Sequence, residues 1–196
     1  MAAVVESGAA FIGFVFYPSS PRAVTPDRAA QLAATVPPQI KTVALTVDPT
    51  DAELQEIFDA FSPDMIQLHG NEDPDRVRWI RHHAGRPVIK AIRVADAQDV
   101  VRAARFEDCA DWILFDARPP GASLPGGTGK TFDWDLLRGH AGKKPWMLSG
   151  GLHAGNVGAA LDRLRPDAID LSSGVEDSPG VKSIAKIRVL FETLRA

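Results

Sequence analysis

Short apolar runs recur along this chain, and between them apolar residues return every three or four positions. The runs are Phe11–Phe16, Thr42–Thr46, Met65–Leu68, Val88–Ile92, Trp112–Phe115, Trp146–Leu148 and Ala168–Leu171. They are rich in Val, Ile and Phe and alternate little, which is the pattern of strands buried on both faces. The stretches Pro26–Thr35, Asp51–Phe61, Pro74–Ala84, Asp96–Ala104, Asp133–Arg138, Gly155–Leu164 and Val181–Leu194 carry helical spacing instead. Thr25-Pro26 and Asp73-Pro74 set a capping side chain before proline at the first helical position, a start signal. Strands alternating with helices at this spacing predict βαβ units and a parallel sheet.

Two α/β architectures fit that alternation. A doubly wound sheet usually carries a glycine fingerprint after an early strand, and this chain has no Gly-x-Gly-x-x-Gly. A (β/α)8 barrel needs eight units, one more strand than can be counted. The shortage sits at the front, where Ala2–Ser7 reads as the tail of a helix stopped by Gly8 with no strand before it. Residues 1–196 are therefore expected to form one domain, a (β/α)8 TIM barrel lacking its first β-strand and part of its first helix.

Composition narrows the partners. With 22 Lys+Arg against 25 Asp+Glu, the formal charge of −3 leaves no basic face spread over the molecule, so nucleic acid is not an expected partner. The single cysteine, Cys109, excludes an internal disulfide framework and a Cys-rich zinc site. The longest apolar run, Gly8 to Phe16, is too short to span a bilayer. Glu6 precedes it and no Lys or Arg does until Arg22, so it is no export signal. A cytoplasmic protein without a membrane partner is expected, and these residues do not declare an oligomeric state.

In a parallel barrel the working residues lie at the carboxyl ends of strands and in the loops that follow. Those positions hold Arg22, His69-Gly70, Asp116, Ser149-Gly150-Gly151 and Asp170-Leu171-Ser172-Ser173-Gly174. The glycine-serine turns after the last two strands let backbone N–H groups converge on an anion, where barrels bind phosphate. A phosphorylated small molecule is the substrate class this favours, against the reading of both as simple tight turns. Gly127-Thr-Gly-Lys-Thr131 is not a P-loop, because the first glycine of that motif would fall on Leu124. It reads as an active-site loop. Asp116 is either a cap or loop ion-pair partner, or a partly desolvated carboxyl acting as general acid or base. His69 is open between a structural and a binding histidine, Arg22 between a surface charge and a ligand, and Asp170 between a buried hydrogen-bonding residue and a site residue. No pair or trio has metal-ligand spacing, so no metal is expected.

Several ordered motifs carry a resemblance. Gly13-Phe-Val-Phe-Tyr-Pro-Ser-Ser-Pro-Arg22, Gln67-Leu-His-Gly70, Leu114-Phe-Asp116, Gly126-Gly-Thr-Gly-Lys-Thr-Phe-Asp-Trp134, Leu148-Ser-Gly-Gly-Leu152 and Asp170-Leu-Ser-Ser-Gly-Val-Glu176 occur in sequence. Together they resemble the phosphoribosylanthranilate isomerases of tryptophan biosynthesis over essentially the whole chain. The resemblance implies an Amadori rearrangement of N-(5-phosphoribosyl)anthranilate to 1-(2-carboxyphenylamino)-1-deoxyribulose 5-phosphate, without metal or organic cofactor. An acid protonates the ribose ring oxygen, the ring opens to a Schiff base, and a base removes the C2 proton. Asp116 matches the general acid, Arg22 and His69 the anthranilate end, and Asp170 an acidic residue near the substrate. Gly150, Gly151, Ser173 and Gly174 match the phosphate-binding loops.

One departure stands out. The family's general base is a cysteine in a Lys-Ile-Cys-Gly motif at the end of the first strand, which would precede Met1. Cys109 does not replace it. It lies before the Trp112 run and Asp116 at the far end, up to roughly 23 Å apart at about 3.3 Å per residue. The chain as given is therefore expected to be impaired, with an upstream strand restoring it. The alternative is a catalytically inactive remnant that binds a phosphorylated ligand.

Overall fold

The computed structural model describes residues 1–117 and 131–195. A first helix, α1 (Ala2–Ser7), ends at Gly8, whose φ of 87° gives the left-handed cap expected of it. Seven strands follow: β1 (Phe11–Val15), β2 (Lys41–Thr46), β3 (Met65–Leu68), β4 (Val88–Val94), β5 (Trp112–Ala117), β6 (Trp146–Leu148) and β7 (Ala168–Ile169). Helices α2 (Pro26–Ala33), α3 (Asp51–Ala60), α4 (Pro74–Ala84), α5 (Ala97–Arg102), α6 (Val157–Arg163) and α7 (Ile184–Arg195) lie between and after them. The start signals work as the sequence suggests. Thr25 accepts from the Arg28 N–H, Asp73 from the Arg76 N–H, and Thr50 with Glu53 closes a capping box on α3.

All seven strands are parallel and pair in chain order, β1 to β7, in one sheet. The sheet is curled, and its side chains prove it. Phe11 on β1 and Trp112 on β5 are four strands apart, a separation of about 19 Å in a flat sheet with strands 4.8 Å apart. Their ring centroids are 6.0 Å apart, edge to face. Val43, Met65, Ile89, Ala91, Leu114 and Met147 pack with them as an interior cluster. Residues of the opposite parity, including Ile66, Leu68, Val88, Ile92, Ile113, Phe115 and Leu148, face outward into the larger core beneath the helices. Burial on both faces explains why these strands read as unbroken apolar runs.

The amino ends of the strands are tied by a repeated device. Asp64, Asp111 and Asp167 each stand one residue before an odd-numbered strand. Each accepts a hydrogen bond from an N–H at the start of the neighbouring strand, that of Thr42, Val88 or Trp146, all at 2.9 Å. Arg81 adds two bonds to Asp111, at 2.9 and 2.7 Å.

Two expected helices need correction. Asp133–Arg138 forms only a 3-10 turn, Trp134–Leu137, bonded from Leu136 N to Asp133 O and ended at Gly139 with φ 82°. The apolar spacing there spans a single turn, too short for an α-helix to propagate. Val181–Leu194 is a helix only from Ile184 onward. Val181–Lys182 (β9) pairs antiparallel with Glu176–Ser178 (β8), turning through Gly180 at φ 85°.

Candidate active site

Two residues farther along each inward-facing row, apolar side chains give way to polar ones. Gln67 and His69 follow Met65, Asp116 follows Leu114, Ser149 follows Met147, and Asp170 follows Ala168. The parallel register keeps them level: Ser149 N donates to Phe115 O at 2.8 Å and Asp170 N to Leu148 O at 2.9 Å. All reach one chamber at the carboxyl ends of the strands because a strand's side chains repeat every second residue.

The chamber holds a hydrogen-bonded row. His69 Nε2 lies 3.1 Å from Asp116 Oδ2, and both residues are buried. Gln67 Nε2 donates to His69 Nδ1 at 3.3 Å, which leaves Nε2 as the ring nitrogen that donates to Asp116. Asp116 is 2% exposed, and its Oδ1 has no hydrogen-bond partner among the described residues. Ser149 Oγ donates to Asp170 Oδ2 at 3.3 Å. Burial pushes the Asp170 carboxyl up, and the negative charge of Asp116 pushes it further, against the pull of His69, Lys182 and Ser149. Asp170 keeps a partly exposed surface, so its carboxyl is deep among protein atoms yet open to the chamber. The raised Asp170 carboxyl keeps a proton available in the chamber beside Asp116.

Two glycine-containing loops stand beside this row. Gly150 and Gly151 have φ of 91° and 64°, and a Cβ at Gly150 would collide with the Ala117 backbone N. Ser173–Val175 forms a 3-10 turn, and a Cβ at Gly174 would collide with the Leu152 carbonyl oxygen. Gly150 thus lets its loop press on the end of β5, and Gly174 lets its turn press on the loop that ends at Leu152. A cavity of about 550 Å³ opens here, lined by Gly151, His153, Ser173, Gly174 and Lys186 among others. Asp116 and His69 do not line it.

Arg22 is no loose surface charge. Its Nε donates to Glu176 Oε1 at 2.9 Å and its Nη2 to Oε2 at 2.7 Å. Outside the sheet, beneath the helices, Lys90 bonds Glu72 at 2.7 Å, Gly70 O at 2.9 Å and Leu68 O at 3.3 Å. Glu72 in turn accepts from the N–H groups of Asp48 and Gly70 at 2.9 and 3.1 Å, fixing the loop that follows His69. Sequence reasoning missed Gln67, Glu176 and this buried ion pair. Gln67 was within reach, since it precedes His69 by the two residues that keep a strand's side chains on one face.

The comparisons bear on this geometry directly. The family model described as N-(5'phosphoribosyl)anthranilate (PRA) isomerase matches residues 1–193. The chain belongs to that family. A relative named N-(5'-phosphoribosyl)anthranilate isomerase from Cereibacter sphaeroides is 47% identical over 194 residues, covering 98% of this chain and 92% of that protein. One of the same name from Rhodopseudomonas palustris is 50% identical over 195 residues, covering 99% and 89%. The crystal structure of phosphoribosyl anthranilate isomerase from Thermotoga maritima superposes with a TM-score of 0.89 at 35% identity, covering 99% of this chain and 92% of that one. A phosphoribosyl anthranilate isomerase in complex with reduced 1-(o-carboxyphenylamino)-1-deoxyribulose 5-phosphate gives 0.85 at 32% identity, covering 99% and 91%.

The residues expected of a PRA isomerase family member take different places. Asp116, His69 and Asp170 share the chamber with Gln67 and Ser149, while Gly150, Gly151, Ser173 and Gly174 form the adjoining loops. Arg22 reaches the region through Glu176. The Gly126–Lys130 segment lies outside the described residues. Cys109 is 1% exposed ahead of β5, at the opposite end from Asp116, and burial pushes its thiol up. That is the setting of an inert core cysteine.

Proposed function

We propose that this PRA isomerase family member acts as a (β/α)8-type barrel enzyme, the whole chain being one domain. It converts N-(5-phosphoribosyl)anthranilate to 1-(2-carboxyphenylamino)-1-deoxyribulose 5-phosphate in tryptophan biosynthesis. The observation that carries the reading is the buried Asp116–His69 pair, facing Asp170 and flanked by two glycine-built loops. In the proposed reaction the substrate phosphate sits against the backbone of Gly150, Gly151, Ser173 and Gly174. Asp116 then delivers a proton to the ribose ring oxygen, and the C1–O bond breaks to give the Schiff base. Loss of the C2 proton to a base completes the shift to the aminoketose. His69, oriented by Gln67, holds one oxygen of Asp116 and leaves the other to the substrate. The cysteine base implied by the family resemblance has no counterpart in this sequence besides Cys109, which is misplaced for that task.

Relatives at 47–50% identity that carry the isomerase name weigh against a binding-only remnant. Among the described residues no helix is long and apolar enough to cross a membrane. A cytoplasmic location belongs to the proposal as the setting of a biosynthetic enzyme. The test is Asp116→Asn, which keeps shape and a donor but removes the transferable proton. Turnover should fall by roughly 10²–10⁴, the usual worth of a general acid. The Kd for the reduced product analogue should change little. Strongly weakened binding with intact turnover would make Asp116 a ligand and move the acid to Asp170.

A further inference from the structure

Glu176 lies 154 residues from Arg22 in sequence, and its carboxylate is buried at 3% side-chain exposure against 15% for Arg22. It takes the guanidinium in the fork geometry, Nε to one oxygen and Nη2 to the other, which fixes the plane of the group as well as its place. The Arg22 Nη1 has no hydrogen-bond partner among the described residues. Lys182 Nζ donates to the same carboxylate at 2.9 Å and to the Ser172 carbonyl at 2.9 Å, linking it to the phosphate loop. Two cations on one carboxylate leave an excess positive charge, which suits an incoming anion. Burial alone would raise the Glu176 carboxyl, but the bonds from Arg22 and Lys182 and their charges hold it below its ordinary range.

The backbone around the pair is built to match. Val24 N donates to Val15 O at 2.9 Å, anchoring the Arg22 loop to the end of β1. Gly180, at the tip of the β8–β9 hairpin, brings its Cα so near Pro21 that an added Cβ would lie 2.5 Å from the Pro21 carbonyl oxygen. Lys186 Nζ closes the base of the hairpin on Glu176 O at 2.5 Å. The hairpin is thus a brace across the Arg22 loop, with Glu176 as its one charged contact to the Arg22 side chain.

We propose that Glu176 is a positioning residue that holds the Arg22 guanidinium in the orientation that receives the anthranilate carboxylate of the substrate. This rests on the reading of Arg22 as a substrate ligand, and the two are separable by experiment. Affinities of the intact chain are measured for the reduced product analogue, which carries both ends of the substrate, and for inorganic phosphate, which carries one. Glu176→Gln should weaken the analogue about 10- to 100-fold, the worth of a hydrogen bond to a charged group, and leave phosphate unchanged. With Arg22→Ala already present, adding Glu176→Gln should cost nothing further, since the second residue acts through the first.

If Arg22→Ala weakens the analogue and Glu176→Gln does not, the positioning role is overturned and the Arg22 reading stands. If Arg22→Ala leaves the analogue unchanged, the Arg22 reading itself fails and takes the proposal with it. Equal loss of analogue and phosphate would show a merely structural brace and also overturn it. Should Glu176→Gln fail to fold, Glu176→Asp decides, because it keeps the charge and withdraws the carboxylate by one methylene. The same selective loss of the analogue supports the proposal there. No loss, or equal loss of both probes, contradicts it.

Discussion

Asp111 stands one residue before β5 and Asp116 one residue before its end, so five positions separate two carboxyls in very different company. Asp111 is held by a backbone N–H and by the two prongs of Arg81, with 23% of its side chain exposed. Asp116 is buried against His69 with another carboxyl nearby and one oxygen without a hydrogen-bond partner among the described residues. Both oxygens of Asp111 are engaged, Oδ1 by Arg81 and Oδ2 by Arg81 and by the Val88 N–H that opens β4. Asp116 has one side-chain bond among the described residues, to His69, and lies on the row that faces the chamber. The same contrast runs around the sheet: Asp64 and Asp167 repeat the Asp111 arrangement at the amino ends, and Asp170 repeats the Asp116 surroundings at the carboxyl ends. In a parallel barrel this is the division between the stability face and the working face.

The contrast can be broken at either end. The largest effect is expected at the carboxyl end, where Asp116→Asn should lower turnover by roughly 10²–10⁴ with an unchanged or raised Tm, read by steady-state kinetics and calorimetry. Next comes Gly174→Val, whose side chain would meet the Leu152 carbonyl and displace the Ser173–Val175 turn proposed to bind phosphate. Inorganic phosphate affinity should drop by about tenfold or more, the loss of one charge-assisted hydrogen bond.

At the amino end, Asp111→Ala should cost about 1–2 kcal/mol in urea unfolding and leave turnover intact. Most of that is the Val88 N–H losing its acceptor, because the exposed Arg81 pair contributes little on its own. Burial would raise the Asp111 carboxyl, but Arg81 and Val88 outweigh it and hold it below its ordinary value of 3.8. A depressed folded-state pKa gives stability that is present above that ordinary value and is lost as pH falls through the folded one. The variant should therefore lack that share of the acid-side loss.

Asp170→Asn should do the reverse. Its folded pKa is raised, so the folded chain gains stability as pH falls and carries a charge penalty above it. The variant should melt higher near neutral pH, with the gain vanishing in acid where Asp170 is itself neutral. A lower Tm at neutral pH would mean that the carboxylate is paired in a way the contrast does not include. Cys109→Ser should show the smallest effect on turnover, none, since it lies below the sheet's floor away from the chamber.

Much of this was legible in the sequence, for reasons that differ by element. The strands were legible because burial on both faces leaves unbroken apolar runs, and the caps because Thr25 and Asp73 each bring an acceptor for the helix's free N–H groups and are followed by proline. Asp116, His69 and Asp170 followed from one rule, that residues ending parallel strands meet at one mouth. What periodicity cannot supply is where a helix starts or how far it runs. Val181 continues the apolar spacing of α7, yet its backbone pairs with Ser178 across Gly180. The Asp133–Arg138 segment has helical spacing for a single turn and stops there. Long-range pairing was not legible at all. Nothing local marks Glu176 as the partner of Arg22, or Lys90 in mid-strand as the partner of Glu72.

The central claim is that the two ends of β5 divide stability from chemistry, and it is tested most directly by measuring turnover and urea midpoint together for Asp111→Ala and Asp116→Asn. The account predicts a crossed result: the first lowers the midpoint and keeps turnover per folded molecule, and the second keeps the midpoint and loses turnover. Equal loss of turnover in both variants, or a lowered midpoint with full turnover for Asp116→Asn, would contradict it.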